Sequence, residues 1–180
     1  MSSVPGSRVA RPGAGECSPA HERYVARVPE SDIAHVLEKQ VEEWRRLAAS
    51  VTAGREDFRY APGKWSVRDV FGHVADTERL FGYRLFSVLR GERASLPGVD
   101  ENAYVKEAEP WLPRLDELVR EFTCLRESNL FLVRRFDETS SVREGIANGV
   151  RVTARALAYC MAGHVRHHTA GLVENYGLRG

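Results

Sequence analysis

Apolar residues recur at helical spacing in four stretches of the chain, and the segments between them carry the punctuation. From Ser31, a candidate N-cap behind Pro29, they fall at Ile33, Val36, Leu37, Val41, Trp44, Leu47, Ala48 and Val51, the stripe of an amphipathic helix that Gly54 is expected to end. The second helix has the best-written start. Ser66 stands as N-cap with Asp69 three residues on, a capping box with Asp in place of the usual Glu, and Trp65 is placed to staple onto Val70. This helix is predicted to begin at Val67 and to run through Val70, Phe71, Val74, Phe81, Leu85, Val88 and Leu89 to Gly91. A third, from Leu112 to Phe136, keeps Leu115, Leu118, Phe122, Leu125, Leu132 and Val133 on one stripe with Asn129 among them. The fourth opens near Thr153 and stops at Gly177, a C′ position. Weak alternation from Val142 to Val152 around Asn148-Gly149 marks a small hairpin before it.

The connections choose among bundle topologies. Residues 91–111 contain Pro97-Gly98 and Pro110 and show no period, which makes about 20 residues of loop where about 2 to 8 is usual between bundle helices. Such a segment reaches ~66 Å when extended, enough to return along a helix of about 24 residues, ~36 Å long. The second and third helices are therefore expected to run parallel, joined by a long crossover, in an all-α four-helix bundle. Residues 1–22 are rich in Gly, Pro, Ser and Ala without periodicity and are expected to be a disordered tail, leaving 23–180 as one bundle domain.

Charge excludes more than it suggests. With 26 Lys+Arg against 25 Asp+Glu, the formal charge of +1 provides no global field for nucleic acid, an anionic membrane or an acidic substrate. Cys17, Cys124 and Cys160 are odd in number and form no C-x-x-C, which favours a reducing compartment over a disulfide framework. No apolar run approaches the ~20 residues needed to span a bilayer. The N-terminus has arginines but no apolar core of a secretory signal. A cytoplasmic protein is expected, with no nucleic-acid or membrane partner.

Candidate chemistry concentrates near the C-terminus, where His164, His167 and His168 account for half of the six histidines. On a helix, His164 and His168 lie about 40° apart on one face, one turn from each other. Leu157, Cys160, Met161, Gly171 and Leu172 share that face, so both imidazoles are expected to point inward. Two imidazoles at i, i+4 meet at one ion most easily, although H-x-x-x-H alone also describes surface or hydrogen-bonded core histidines. His167, about 100° from His168, is expected at the rim or in the outer shell. A tight transition-metal site needs a third ligand from another helix. His21 and His35 lie in the tail and at the start of the first helix, and His73 lies well inside the second. Read alone, His73 is more often a part-exposed histidine bonded to a carboxylate than a ligand, and Cys160, which could ligate as thiolate, is more often a small core residue.

The missing motifs narrow the class. Val165 stands where H-E-x-x-H metalloproteases carry their general-base Glu, and there is no G-x-S-x-G elbow, P-loop or G-x-G-x-x-G. Gln40, Glu78 and Asn129 sit on apolar arcs, either as partners of the site and contacts to substrate or as paired core polar residues.

Three separated motifs carry a resemblance. Tyr60-Ala61-Pro62-Gly63-Lys64-Trp65-Ser66-Val67-Arg68-Asp69-Val70-Phe71-Gly72-His73-Val74-Ala75-Asp76-Thr77-Glu78-Arg79 resembles the second-helix signature of the DinB-like (YfiT-like) metalloenzymes. Leu96-Pro97-Gly98-Val99-Asp100-Glu101-Asn102-Ala103-Tyr104 continues it in the crossover, and Ala162-Gly163-His164-Val165-Arg166-His167-His168 closes it. The resemblance implies a four-helix bundle with the crossover between helices two and three, and a divalent metal held by His73, His164 and His168. Known members include thiol-dependent transferases and isomerases that use low-molecular-weight thiols, and homodimers are common. The leading expectation is a metal-dependent transferase that activates a small thiol. A metal-dependent hydrolase and a non-catalytic, stress-associated metal binder are the alternatives. Nitrogen-rich sites accept several divalent ions, with Zn or Ni expected first and Fe, Mn, Co or Cu following according to availability.

Overall fold

Side-chain caps set most of the helix boundaries. The computed structural model describes residues 9–179. Ser66 accepts from the Asp69 amide while the Asp69 carboxylate accepts from the Ser66 amide, so the capping box closes as predicted. The helix behind it spans Val67–Leu89 and is here α3. Before it come α1, Pro19–Val25, capped by Ser18, and α2, Ile33–Ala49, capped by Asp32. After it come β1, Ser95–Leu96; α4, Glu101–Ala108; α5, Leu115–Val133; and α6, Glu138–Ser141. The chain finishes with β2, Glu144–Ala147; β3, Val150–Thr153; and α7, Ala154–Tyr176, which Thr153 caps and left-handed Gly177 ends.

Contacts between named residues give the directions of the four long helices. Arg79 pairs with Glu121, Glu78 with Arg126, and Gly82 abuts Asn129, so numbers rise together and α3 runs parallel to α5. Tyr176 donates to the Trp65 carbonyl at 2.7 Å while His164 packs on Phe81, which makes α7 antiparallel to α3. Glu38 pairs with Arg134 and Trp44 packs on Phe122, so α2 opposes α5. The result is an up-down-down-up bundle with the expected crossover between the second and third long helices.

Several expectations are corrected. The first long helix ends at Ala49 rather than Gly54, because the Ser50 hydroxyl turns back onto the Leu47 carbonyl at 2.7 Å. The third begins at Leu115, not Leu112: Leu112 precedes Pro113 and is held extended (ψ 122°), as a residue before proline should be. The crossover is not a structureless loop. It contains β1, α4 and a 3₁₀ turn, and β1 pairs in parallel with β2 of the predicted hairpin to make a three-stranded sheet. The hairpin turn places Asn148 and Gly149 at φ 52° and 72°, the double positive φ of a type I′ turn. The tail expected over 1–22 does not hold where it is described. Val9 and Cys17 are buried, and α1 packs on α7. Residues 1–8 of that tail lie outside the described residues.

The close fit of α1 on α7 depends on one glycine. A Cβ on Gly163 would stand 2.0 Å from the Tyr24 carbonyl oxygen, so only a hydrogen lets the two backbones meet there. The core divides into two apolar clusters. One is built around Leu37, Phe81, Val133 and Met161, the other around Trp44, Phe71, Phe122 and Val165. Between them lies a polar layer, to which each long helix contributes a buried polar residue: Gln40, Glu78, Arg126 and His164.

Candidate metal centre

His73 projects from α3 and His164 and His168 from successive turns of α7, and the antiparallel packing brings the three rings together. The Nε2 atom of His164 lies 3.1 Å from Nε2 of His73 and 3.1 Å from Nε2 of His168. One donor atom from each ring falls within 4.8 Å of the others. His164 is buried at 5 % exposure, and the other two are partly buried. Aromatic neighbours hold the rings. Trp65 packs on His73 at 4.7 Å between centroids and stacks nearly parallel to His168 at 6.3 Å, while Tyr24 meets His164 edge-on at 5.4 Å.

Protonation favours ligation. Burial pushes the His73 pKa down to about 4, with His167 adding to the shift. It pushes His168 down to about 2, with His73 contributing next, and holds His164 well below the usual histidine value, with His168 the next cause. All three rings are therefore neutral at pH 7. A neutral imidazole nitrogen either donates one proton or offers one lone pair, so Nε2 of His164 cannot satisfy both 3.1 Å neighbours at once. A cation resolves that conflict by taking three lone pairs. Two nitrogens ~2.0–2.1 Å from one ion at the tetrahedral angle lie roughly 3.3 Å apart, close to the observed spacing. The donor set therefore fits a borderline transition metal.

The other sequence candidates separate clearly. His167 lies at the rim, its ring 5.0 Å from His168 and 5.6 Å from Tyr24. His21 lines the same pocket from α1, its Nδ1 2.9 Å from the Ser18 hydroxyl, while His35 is exposed at the start of α2. Cys160 is unsuited to ligation. A hydrogen bond with Cys17, together with burial, pushes its thiol well above the usual range. Gln40, Glu78 and Asn129 are core partners. Arg126, fully buried, donates to both Glu78 oxygens at 2.8 Å, to Gln40 at 2.8 Å and to the Leu37 carbonyl at 3.2 Å. Asn129 donates to Glu78 at 2.9 Å, and Gln40 donates to the Ala162 carbonyl at 2.8 Å. One guanidinium thus ties α5 to α3 and α2, and Gln40 extends the tie to α7 beside His164.

The histidines open onto a pocket of ≈ 640 Å³ whose walls include Tyr24, Trp65, Phe81, Arg84 and His167. Sequence reasoning misses Tyr24 because the seven residues of α1 are too few to show a helical period, and the first four of them fall in the 1–22 tail expected to be disordered. It misses Arg84 because that residue reads as a surface cation. No described helix is long and apolar enough to cross a membrane.

A bundle of this topology, with three neutral imidazoles converging at the head of a pocket, defines a class of helical metal-binding protein. Residues 36–171 match the model of the DinB superfamily, and the chain belongs to that family. Its fold is similar to that of YfiT from Bacillus subtilis, described as "a probable metal-dependent hydrolase with an unusual four-helix bundle topology". The two align with a TM-score of 0.72 at 19% identity over 84% of this chain and 91% of the other. No functionally curated protein matches the chain.

Proposed function

We propose that this chain is a divalent-metal-dependent enzyme in which His73, His164 and His168 hold the ion, and that it transfers a low-molecular-weight thiol to a small electrophile. The observation that carries the reading is the convergence of three neutral imidazoles on one point, with Nε2 contacts of 3.1 Å, beside a ≈ 640 Å³ pocket. Three nitrogen ligands leave coordination positions open, which is the arrangement of a catalytic rather than a structural site. Zn or Ni suits the donor set best, with Fe, Mn or Co as the remaining choices. When bound, such a metal lowers the pKa of a thiol or water and supplies a nucleophile at neutral pH.

The chain's own residues supply the rest. Trp65 and Tyr24 fix the ring orientations and, with Phe81, keep bulk water from the back of the site. His167 lines the pocket and is kept neutral by burial and by Arg27, so one of its ring nitrogens can accept the proton that the nucleophile gives up. The hydrolase reading is favoured by the description of YfiT. A binder without turnover would be expected to seal its ion from solvent, and the pocket beside the histidines speaks against that.

Elemental analysis of purified protein should find about one divalent ion per chain, absent from His164→Ala. Full metal content in that variant would sink the ligand assignment. Turnover of electrophiles by the metal-loaded protein should require added thiol, and turnover without it would favour the hydrolase. A homodimer in the cytoplasm is the setting we propose, and size-exclusion chromatography with light scattering tests the dimer.

A further inference from the structure

The pocket contains a charge that its protein surroundings leave unbalanced. Arg84 follows His73 by eleven residues on α3, a turn of only about 20° from the same face at ~100° per residue. His73, Thr77, Leu80 and Arg84 form one stripe, and all four line the pocket. Arg84 is 4 % exposed, and its Nη2 donates to the Pro97 carbonyl at 2.7 Å. Its Nε is buried with no hydrogen-bond partner. Among the described residues no carboxylate pairs with it. The one favourable charge set against it is the Cys160 thiol, which is itself held in the neutral form. Residues 1–8, Met-Ser-Ser-Val-Pro-Gly-Ser-Arg, contain no acidic side chain that could serve.

Arg126 shows how this fold treats a buried guanidinium whose role is structural, since it meets a carboxylate in bidentate geometry and leaves no donor idle. Arg84 is nearly as buried, but on a pocket wall and without a carboxylate. A buried charge without a counter-charge is expensive, and keeping one at a pocket wall is rational when a ligand brings the counter-charge. An Nε–H beside an Nη–H is the edge that receives two oxygens of a planar anion.

We propose that Arg84 is the receptor for an oxyanion, a carboxylate or phosphate, on the small molecule that enters this pocket. The Cα atoms of His73 and Arg84 are ~16 Å apart along the helix, and long helical side chains lean toward the N-terminus. The anionic group therefore sits on the order of 10 Å from the three imidazoles. This spacing rests on the proposed function, in which chemistry occurs at the histidines; the assignment of Arg84 does not. The substrate class is an elongated molecule with its reacting atom at one end and an acidic group at the other. His21, against Phe81 at 6.0 Å, stands close enough to Arg84 to feel its charge and adds a polar contact along the way.

The test is calorimetric titration of the metal-loaded protein with glutarate and, separately, inorganic phosphate. At least one probe should saturate below about 10 mM, and Arg84→Gln and Arg84→Met should each weaken it at least about tenfold with metal content unchanged. The tighter probe identifies the anion. No saturation by either, or affinity retained in both variants, would overturn the proposal. Removing an unpaired buried charge should leave the ligand-free melting temperature of Arg84→Met near or above that of the wild type. A fall of more than about 10 °C, or failure to fold, would show that the guanidinium is already satisfied and would equally overturn it. Arg84-dependent anion binding by a chain that takes up no metal would refute the proposed function and leave this assignment standing.

Discussion

Arg126→Met tests the polar layer that sets the spacing of the histidine helices. Arg126 is fully buried and makes two bonds to Glu78, one to Gln40 and one to the Leu37 carbonyl. Methionine fills much of the same volume but leaves the Glu78 carboxylate, itself 2 % exposed, with only Asn129 as a side-chain partner. A buried carboxylate stripped of its cation costs about 3–5 kcal/mol. Protonation sets a ceiling on that cost. Loading a proton onto an ordinary glutamate at pH 7 requires ~3.7 kcal/mol, and at pH 5.5 only ~1.6 kcal/mol. The unmet Gln40 oxygen adds ~1 kcal/mol at any pH. Urea unfolding should therefore find the variant about 4–5 kcal/mol less stable at pH 7 and about 2–3 kcal/mol less stable at pH 5.5.

The sign follows from proton counting. In the variant the folded state takes up a proton that the unfolded state lacks above its own glutamate range, so the deficit shrinks as pH falls. Titration of the histidines is common to both proteins and cancels in the difference. Glu78→Gln combined with Arg126→Met removes the charge and should show the smaller deficit at both pH values with no pH trend. A deficit below ~1 kcal/mol at pH 7, or one that does not change between the two pH values, would refute the view that Arg126 is there to neutralise Glu78.

Four further outcomes are expected. Because burial already holds His73 near pKa 4 and His168 near 2, zinc affinity measured by chelator competition should weaken less than about tenfold from pH 7.5 to 5.5, whereas three ordinary imidazoles would lose on the order of a thousandfold. With metal removed the same depressed values act on stability: the unfolded state binds more protons below about pH 6.5, so the urea midpoint should fall as pH drops from 6.5 toward 4. Gly163→Ala drives a Cβ into the Tyr24 carbonyl. It should cost ~1–3 kcal/mol and raise hydrogen exchange across Pro19–Val25 more than across α3, while unchanged exchange in α1 would show that the contact is dispensable. Ser66→Ala removes one half of the capping box and should lower stability by ~1 kcal/mol in denaturant melts.

What can be read from the chain alone is local. The caps at Ser66 and Thr153 and the stop at Gly177 depend on residues within one turn, and each stands where the sequence places it. The i, i+4 placement of His164 and His168 is equally local. Glu78, Asn129 and Gln40 are visible as polar residues on apolar arcs, but Arg126 is not, although it lies on the same stripe between Phe122 and Asn129. A cation is ordinarily assigned to solvent, and only its partners on two other helices reverse that. Arg84 escapes notice for the same reason.

Helix α1 fails for a different reason, and that reason bears on the site. Seven residues are too few to show a period, and a helix that short is marginal in isolation. Its order comes from docking against α7, where Gly163 provides the notch for Tyr24. The partner residue is some 140 positions away in the chain, beyond any local pattern. Yet this segment supplies Tyr24 against His164 and His21 against Phe81, two walls of the pocket. It also lies outside the 36–171 span that matches the family. The three histidines fall within that span. A segment that no local pattern reveals therefore helps to shape the approach to the histidines, and Tyr24→Ala should change what the pocket admits before it changes metal content.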